Sequence, residues 1–178
     1  EAALQTALAG TVAEFAKTHG TIEDSEMVIL GLGRLGGEAL THASDLDIIY
    51  LFTGDHGAEC DGERPMSATR YYNRLAQRVG AALSVPTAEG PLYEVDTRLR
   101  PQGAQGPLAV SVESFARYQR ESAWTWEHMA LARARVVVIR EEALAIFASS
   151  ALCSPAATGV PAASPVAPDS ARWRRQTR

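Results

Sequence analysis

The pattern of hydrophobic and polar positions predicts an α/β domain built from amphipathic helices and short buried strands. Over residues 1–19, apolar residues recur at three- and four-residue steps, as in a helix that packs along one face, and Gly20 follows at the C-cap position. A second amphipathic helix is predicted over 68–83, with Tyr71, Leu75 and Val79 on its apolar face. Short apolar runs at 27–30 and 48–52 predict two buried strands.

A cluster of glycines lies between these two strands and marks the first candidate binding feature. Gly31, Gly33, Gly36 and Gly37 fall within seven positions. Glycine lets the backbone approach another group closely and adopt positive φ at low cost. A short helix directly after such a turn would present backbone N–H groups and its positive dipole end to a phosphate.

The second strand is preceded by the sequence Ser44-Asp45-Leu46-Asp47, which carries the chemical argument. Because side chains alternate along a strand, Asp45 and Asp47 face the same side while Leu46 faces the core. Two adjacent carboxylates repel each other unless a cation lies between them, and Mg²⁺ prefers carboxylate and phosphate oxygens. Together, the glycine turn and the two carboxylates predict a site for a metal–nucleotide complex. An isolated Asp-x-Asp pair, in contrast, is more often a solvated strand end.

A dinucleotide-binding domain is an alternative interpretation of the same glycines. Residues 31–36 spell G-x-G-x-x-G, the fingerprint of that class. In that class the acidic residue follows about 20 residues later. Here Asp45 and Asp47 come much sooner, so the spacing disfavours this alternative.

A third strand is expected over 91–99 and would complete the carboxylate cluster. Alternation would place Glu94, Asp96, Arg98 and Arg100 on one face of it. If this strand pairs beside the second one, Asp96 joins the aspartate pair. The two arginines could then neutralise phosphate charge or form salt bridges to a nearby aspartate, and the sequence leaves both open.

Aromatic residues are concentrated after a helix for which Ser111 is the expected N-cap. Trp124, Trp126, Met129 and Leu131 recur as apolar positions and are expected to lie in the core. Stacking on adenine or docking of a partner is the second interpretation of these aromatic residues.

Composition and charge narrow the class further. The 178 residues predict one domain over 1–148, followed by a disordered tail over 149–178 that is rich in Ala, Pro and Ser. The net charge of −4 disfavours nucleic-acid binding. The two cysteines lie far apart in the sequence, which suggests a reducing compartment and no zinc site. The sequence shows no apolar run long enough for a transmembrane helix and no signal peptide. A cytoplasmic protein is therefore expected. Because the chain lacks an initial Met and begins inside a helical pattern, it is expected to be part of a longer protein.

Three ordered blocks resemble a known family. The string G-R-L-G-G-E-A-L-T-H-A-S-D-L-D-I-I-Y-L is similar to the signature of bacterial glutamine synthetase adenylyltransferase, also called glutamate–ammonia ligase adenylyltransferase. Residues 93–101 resemble the Y-x-V-D-x-R-L-R-P block of that family, and residues 124–135 resemble its W-E-x-x-A-L-x-x-A-R block. The resemblance runs over about 25–140 and implies the polymerase-β-like nucleotidyltransferase fold, an α/β (α+β) fold with a small mixed sheet flanked by helices.

The resemblance also implies a reaction and a direction. Family enzymes carry one catalytic copy that adds AMP from ATP to a tyrosine of glutamine synthetase, releasing pyrophosphate, and another that removes AMP by phosphorolysis. The blocks around Asp45 and Trp124 are more similar to the adenylylating, C-terminal copy. Deadenylylation at the same type of site, or a catalytically silent fragment that only docks glutamine synthetase, are the alternatives.

The resemblance assigns roles to particular residues. Asp45, Asp47 and Asp96 would be catalytic and hold two Mg²⁺ ions. The nucleotide phosphates of ATP would be bound by a larger set: Gly33, Arg34, Gly36, Gly37, Ser44, Arg98 and Arg100. Gly33-Arg34 is taken as the equivalent of the superfamily's Gly-Ser turn, with ten residues between Arg34 and Asp45. The implied partners are glutamine synthetase and, in the full-length enzyme, a PII signal protein, with no nucleic acid and no membrane.

Overall fold

The computed structural model describes residues 1–41, 44–88 and 90–138. Its helices are α1 (Ala2–His19), α2 (Gly33–Gly36), α3 (Ala68–Ser84), α4 (Val112–Glu121) and α5 (Thr125–Leu131), with a 3₁₀ turn at Gly103–Gln105. Its strands are β1 (Met27–Gly31), β2 (Leu46–Phe52), β3 (Pro86–Thr87), β4 (Gly90–Pro91), β5 (Val95–Asp96), β6 (Ala109–Ser111) and β7 (Arg135–Val138). The predicted mixed sheet with flanking helices is confirmed.

Strand β2 organises the sheet, in which the strand order is β5-β2-β1-β7. β1 pairs antiparallel with β2 from Met27↔Phe52 to Gly31↔Ile48, and β7 pairs antiparallel with the other edge of β1. The edge of β2 away from β1 is shared by two short parallel strands, β5 at its beginning and β6 at its end. The connections to these parallel strands pass through α3.

Both faces of β2 are covered, which explains its nearly continuous apolar sequence. Leu46, Ile48, Tyr50 and Phe52 belong to the larger apolar cluster, under α1 and α3. Ile49 and Leu51 face the other side, where they join a smaller cluster that includes Val112 and Phe115 of α4. By alternation, Asp47 lies on this α4 side, beyond the end of its apolar cluster.

Asn73 on α3 fixes strand β6 through its side-chain amide. Its Oδ1 accepts hydrogen bonds from the backbone N–H groups of Leu108 (2.7 Å) and Ala109 (3.2 Å). Its Nδ2 donates to the carbonyl of Ala109 (2.9 Å). One side chain therefore supplies hydrogen bonds that a neighbouring strand would otherwise supply.

The helices and first two strands agree with the sequence prediction. Helix α1 ends at His19, with Gly20 at φ 70°, and α3 ends one residue beyond the predicted boundary. Ser111 caps α4 by accepting a hydrogen bond from the N–H of Ser114 (3.2 Å), as expected.

The prediction of one long strand over 91–99 was wrong. Pro91 pairs with Pro86 in a separate two-stranded ribbon, and β5 contains only Val95 and Asp96. The strand ends there because the Asp96 carboxylate accepts a hydrogen bond from the backbone N–H of Arg98 (2.8 Å), which closes a local turn. Consequently, Arg98 and Arg100 do not continue the alternation that the sequence suggested.

The expected burial of the aromatic segment was also wrong. The exposed fractions are 70% for Trp124, 54% for Trp126 and 72% for Met129. The buried residue of α5 is Glu127, whose carboxylate accepts hydrogen bonds from the Tyr118 hydroxyl (3.0 Å) and the Trp124 backbone N–H (2.7 Å). A buried, hydrogen-bonded carboxylate thus anchors this helix, and its large apolar side chains face outward.

Two further expectations concern the C-terminal tail and the membrane. The tail predicted over 149–178 lies outside the described residues. Among the residues that are described, no helix has both the length and the apolar character needed to cross a membrane.

Candidate active site

Two aspartates of the candidate site lie side by side on neighbouring strands. Asp47 of β2 is the register partner of Asp96 of β5, and the pairing is parallel. Asp45 lies two residues before Asp47, is exposed, and lines a cleft of about 310 Å³ together with Glu94, Asp96 and Arg98. The predicted meeting of Asp96 with the aspartate pair is therefore found, although it depends on a two-residue strand.

Electrostatic repulsion within this cluster acts on Asp47. Partial burial raises the pKa of the Asp47 carboxyl above its usual value, and the negative charges of Asp96 and Asp45 raise it further. The positive charge of Arg98 opposes this shift. The three carboxylates therefore lie close enough to influence one another, which is the arrangement that a bound cation would stabilise.

Asp96 differs from Asp47 because it has a counter-ion. The Arg98 guanidinium donates from Nε to both carboxylate oxygens (3.1 and 2.9 Å) and from Nη2 to Oδ2 (2.5 Å). These hydrogen bonds hold the pKa of the Asp96 carboxyl below its usual value. Asp96 also raises the pKa of Arg98, and the charges of Asp45 and Asp47 contribute to that rise. The guanidinium thus lies in the field of all three aspartates.

The donor chemistry of the cluster fits a hard divalent cation such as Mg²⁺, which prefers carboxylate oxygens. Asp45, Asp47 and Asp96 are the residues that would hold it. Across residues 1–41, 44–88 and 90–138, however, no three acidic, His or Cys side chains converge closely enough to form a ready-made metal site. The oxygens of Asp96 instead face Arg98.

The glycine turn packs directly against this cluster. The backbone N–H of Leu32 donates to the carbonyl of Asp47 (2.9 Å), which continues the pairing with β2 one residue beyond the end of β1. Gly33 follows with φ 51°, and a Cβ atom there would lie 2.5 Å from Asp47 Oδ2. Glycine is therefore required at this position both by the backbone conformation and by the contact with the carboxylate.

The remaining glycines of the turn differ in their surroundings. A Cβ atom on Gly36 would lie 2.0 Å from the carbonyl oxygen of Arg133, whereas one on Gly37 would meet its nearest atom at 3.3 Å. Behind the turn, Arg135 donates to the carbonyl oxygens of Leu35 and Gly36 (both 3.3 Å). Helix α2 has only four residues. Gly36 thus has a packing role in joining the turn to β7, whatever its contact with a nucleotide.

Arg34 and Ser44 are brought together at the exposed side of the turn. Nη1 of Arg34 donates to the hydroxyl of Ser44 (3.2 Å), which also accepts from the backbone N–H of Thr41 (3.1 Å). The guanidinium of Arg34 is exposed. These two predicted phosphate-binding residues therefore form one polar cluster beside Asp45.

Among the described residues, Arg100 forms no ion pair with the carboxylates. After the hydrogen bonds from Arg98, its positive charge is a smaller cause of the lowered pKa of Asp96. Its Nη1 donates to the carbonyl (2.7 Å) and hydroxyl (3.1 Å) oxygens of Thr97, and its Nε donates to the carbonyl of Gly106 (3.3 Å). The side chain thus stabilises the loop after β5. Thr97 also lines the cleft. It was not predicted, because no sequence pattern distinguishes a functional threonine in a loop.

A glycine turn, a short helix, an Asp-x-Asp strand and a third aspartate on the neighbouring strand together define a nucleotidyltransferase domain. Comparison with known proteins agrees. A family model described as glutamate-ammonia ligase adenylyltransferase matches residues 1–150. The chain belongs to that family.

Curated relatives support the same assignment. The chain is 50% identical over 135 residues to a protein of Mesorhizobium japonicum, an alignment that covers 75% of this chain and 14% of the relative. It is 52% identical over 132 residues to a protein of Brucella melitensis, covering 74% of this chain and 13% of the relative. Both are named bifunctional glutamine synthetase adenylyltransferase/adenylyl-removing enzyme. The aligned part of the chain thus corresponds to about a seventh of these relatives' length.

Proposed function

We propose that this chain transfers AMP from ATP to a tyrosine of glutamine synthetase and releases pyrophosphate. The observation that carries the proposal is the pairing of Asp47 with Asp96 across β2 and β5, with Asp45 and the glycine turn beside them. The printed names of the relatives supply the reaction class and the protein acted on.

In this reaction the phenolic oxygen of the tyrosine attacks the α-phosphorus of ATP, and the bond from that phosphorus to the α,β-bridging oxygen breaks. Pyrophosphate leaves with the electron pair of that bond, and the phenolic proton passes to water. Mg²⁺ at the site would stabilise the negative charge of the attacking and leaving oxygens. Asp45, Asp47 and Asp96 would hold it. ATP brings four negative charges towards a cluster of carboxylates, so such a cation is required for the two to approach each other.

The chain's own residues have positioning roles. The absence of a side chain at Gly33 lets the turn pack directly against Asp47, because a Cβ atom there would lie 2.5 Å from Oδ2. Arg34, held by Ser44, presents an exposed guanidinium at the rim of the site, which suits bidentate contact with a phosphate. Arg98 supplies a second guanidinium directly at the carboxylates.

The reverse-type reaction, removal of AMP by phosphate, is the second candidate because the relatives' name includes an adenylyl-removing activity. The carboxylate cluster would serve either direction, since both transfer the same AMP group.

The test is incorporation of label from α-labelled ATP into purified glutamine synthetase in the presence of Mg²⁺. The chain is compared with Asp45→Asn and with Asp55→Asn, an exposed aspartate outside the cluster, as the matched control. Label that is lost in Asp45→Asn and retained in Asp55→Asn supports adenylylation at this site. Release of ADP from adenylylated glutamine synthetase and phosphate, without labelling, supports the second candidate. Binding of glutamine synthetase with neither reaction would contradict both and favour a docking fragment.

A further inference from the structure

We propose that Arg98 is a built-in counter-ion of the carboxylate cluster, which must leave Asp96 before a divalent cation can bind there. This inference rests on the proposed function, because that function requires a cation at Asp45, Asp47 and Asp96. It adds a role for Arg98 as a positioning residue that couples cation binding to nucleotide binding.

The geometry of the ion pair carries the argument. Arg98 directs its backbone N–H, Nε and Nη2 at the Asp96 carboxylate, with four contacts between 2.5 and 3.1 Å. Both oxygens of Asp96 are therefore engaged. A cation that uses Asp96 as a ligand needs these oxygens, so it competes with the guanidinium for them.

Asp96 and Arg98 differ in exposure, and this difference indicates which side chain moves when the ion pair breaks. The side chain of Asp96 is only 18% exposed, whereas that of Arg98 is 82% exposed. The carboxylate is thus fixed by its strand, and the guanidinium lies at the solvent-facing end of a long side chain. Because the guanidinium is exposed to solvent, which weakens its attraction to the carboxylate, we expect Arg98 to leave Asp96 at a small cost in stability.

The position of the guanidinium relative to the other carboxylates strengthens the assignment. Asp47 is the register partner of Asp96, and Asp45 lines the same cleft as Arg98. Within the described residues, Arg98 is the basic side chain that forms an ion pair with a member of this cluster. It therefore supplies the compensating positive charge of the cluster.

Release of Arg98 links the two ligands. A free guanidinium binds phosphate oxygens bidentately, so a nucleotide that attracts Arg98 also frees Asp96 for the cation. By thermodynamic reciprocity, the cation increases nucleotide affinity by the same factor. The cation alone is then expected to bind weakly, and the cation with nucleotide to bind strongly.

The test measures Mn²⁺ binding to the full 178-residue chain by the electron paramagnetic resonance signal of free Mn²⁺, with and without α,β-methylene-ATP. Arg98→Gln is expected to bind Mn²⁺ without nucleotide about two- to fivefold more tightly than the unaltered chain, which corresponds to the usual strength of an exposed ion pair. The nucleotide is expected to increase Mn²⁺ affinity less in Arg98→Gln than in the unaltered chain. Arg98→Lys keeps the positive charge but lacks the planar guanidinium, and its Mn²⁺ affinity is expected to lie between those of the unaltered chain and Arg98→Gln.

Two controls separate this inference from the proposed function. Arg70→Gln makes the same charge change at an exposed position of α3 and is expected to leave Mn²⁺ binding unchanged. Asp47→Asn is expected to weaken Mn²⁺ binding. If Asp47→Asn weakens binding but Arg98→Gln binds Mn²⁺ no more tightly than the unaltered chain, the counter-ion proposal is overturned and the metal site stands. If neither substitution changes Mn²⁺ binding, both are overturned.

Discussion

Gly33 and Asp47 are in such close contact that no side chain can be accommodated between them. A Cβ atom on Gly33 would lie 2.5 Å from Oδ2 of Asp47, well inside van der Waals contact. Gly33 also has φ 51°, a conformation that L side chains rarely adopt. The turn therefore packs directly against the carboxylate on which the proposed chemistry depends.

Gly33→Ala is expected to displace the Asp47 carboxylate and to strain the backbone. We expect AMP transfer to fall at least tenfold, roughly the effect of about 1.4 kcal/mol at the transition state. The strain of a non-glycine residue at positive φ is expected to lower the free energy of unfolding by about 1 to 3 kcal/mol. Label transfer and urea denaturation measure the two effects.

Gly10→Ala is the matched control, because a Cβ atom on Gly10 in helix α1 meets nothing within 4 Å. It is expected to raise the free energy of unfolding by about 0.5 to 1 kcal/mol through higher helix propensity. Equal activity losses in the two alanine variants would contradict the assigned contact.

Asp47→Asn and Asp96→Asn are expected to have opposite effects on stability at neutral pH. The folded-state pKa of Asp47 is raised, so its ionised form is disfavoured by folding and neutralising it should stabilise the protein. The folded-state pKa of Asp96 is lowered, so its ionised form is favoured by folding and neutralising it should destabilise the protein. Thermal unfolding at several pH values measures the stability of both variants. If both substitutions stabilised the protein, or both destabilised it, the electrostatic account would be contradicted.

The pH windows of these two effects also differ. The penalty at Asp47 is absent below the unfolded-state value of 3.8 and develops as pH rises through its higher folded-state pKa. The stabilisation by Asp96 is present above 3.8 and is lost as pH falls through its lower folded-state pKa. Both variants are nevertheless expected to lose AMP transfer by about 100-fold or more, because each removes a carboxylate ligand.

Gly36→Ala and Gly37→Ala are expected to separate packing from catalysis within the glycine pair. The added Cβ would lie 2.0 Å from the backbone oxygen of Arg133 in the first variant, but 3.3 Å from its nearest atom in the second. Backbone atoms cannot move aside cheaply, so Gly36→Ala should lower the free energy of unfolding by roughly 1 to 3 kcal/mol. Gly37→Ala should lower the free energy of unfolding much less. Coinciding denaturation curves for the two variants would show that Gly36 does not pack against Arg133 in the segment before β7.

Glu127→Ala is expected to loosen helix α5. It removes the acceptor for the Tyr118 hydroxyl and the Trp124 backbone N–H, at a cost of about 1 to 3 kcal/mol for the groups left unpaired. Glu121→Ala, an exposed glutamate at the end of α4, is the control and should change stability by less than about 0.5 kcal/mol. Tryptophan fluorescence and chemical denaturation report the result, and two equally stable variants would argue against the anchoring role.

Residue patterns predicted the parts of the fold that depend on periodicity. The burial of Leu46, with Asp45 and Asp47 outside the core, follows from two-residue alternation alone. The boundaries of α1 and α3 follow from their apolar faces and, for α1, from Gly20. These features are local, so one sequence contains all the information they need.

The predictions that were wrong concern features that depend on contacts between distant or competing groups. β5 is short because the Asp96 side chain bonds to the Arg98 backbone in place of a ladder partner. The exposure of Trp126 could not be predicted, because an apolar residue does not reveal whether another element covers it. Likewise, the contact between Gly36 and Arg133 joins residues far apart in sequence.

The order in which the strands pair has a consequence for folding kinetics. β1 and β2 form an antiparallel pair joined by the glycine turn itself, so Gly33 and Asp47 can meet after closure of one short loop. Asp96 reaches the same place only when β5 pairs in parallel with β2, and the whole of α3 lies between these two strands in the chain. Non-local parallel pairing is slow compared with local pairing. We therefore expect the site to assemble in two stages, so that cation binding during refolding would follow the arrival of Asp96 and would lag behind the burial of the β1–β2 core.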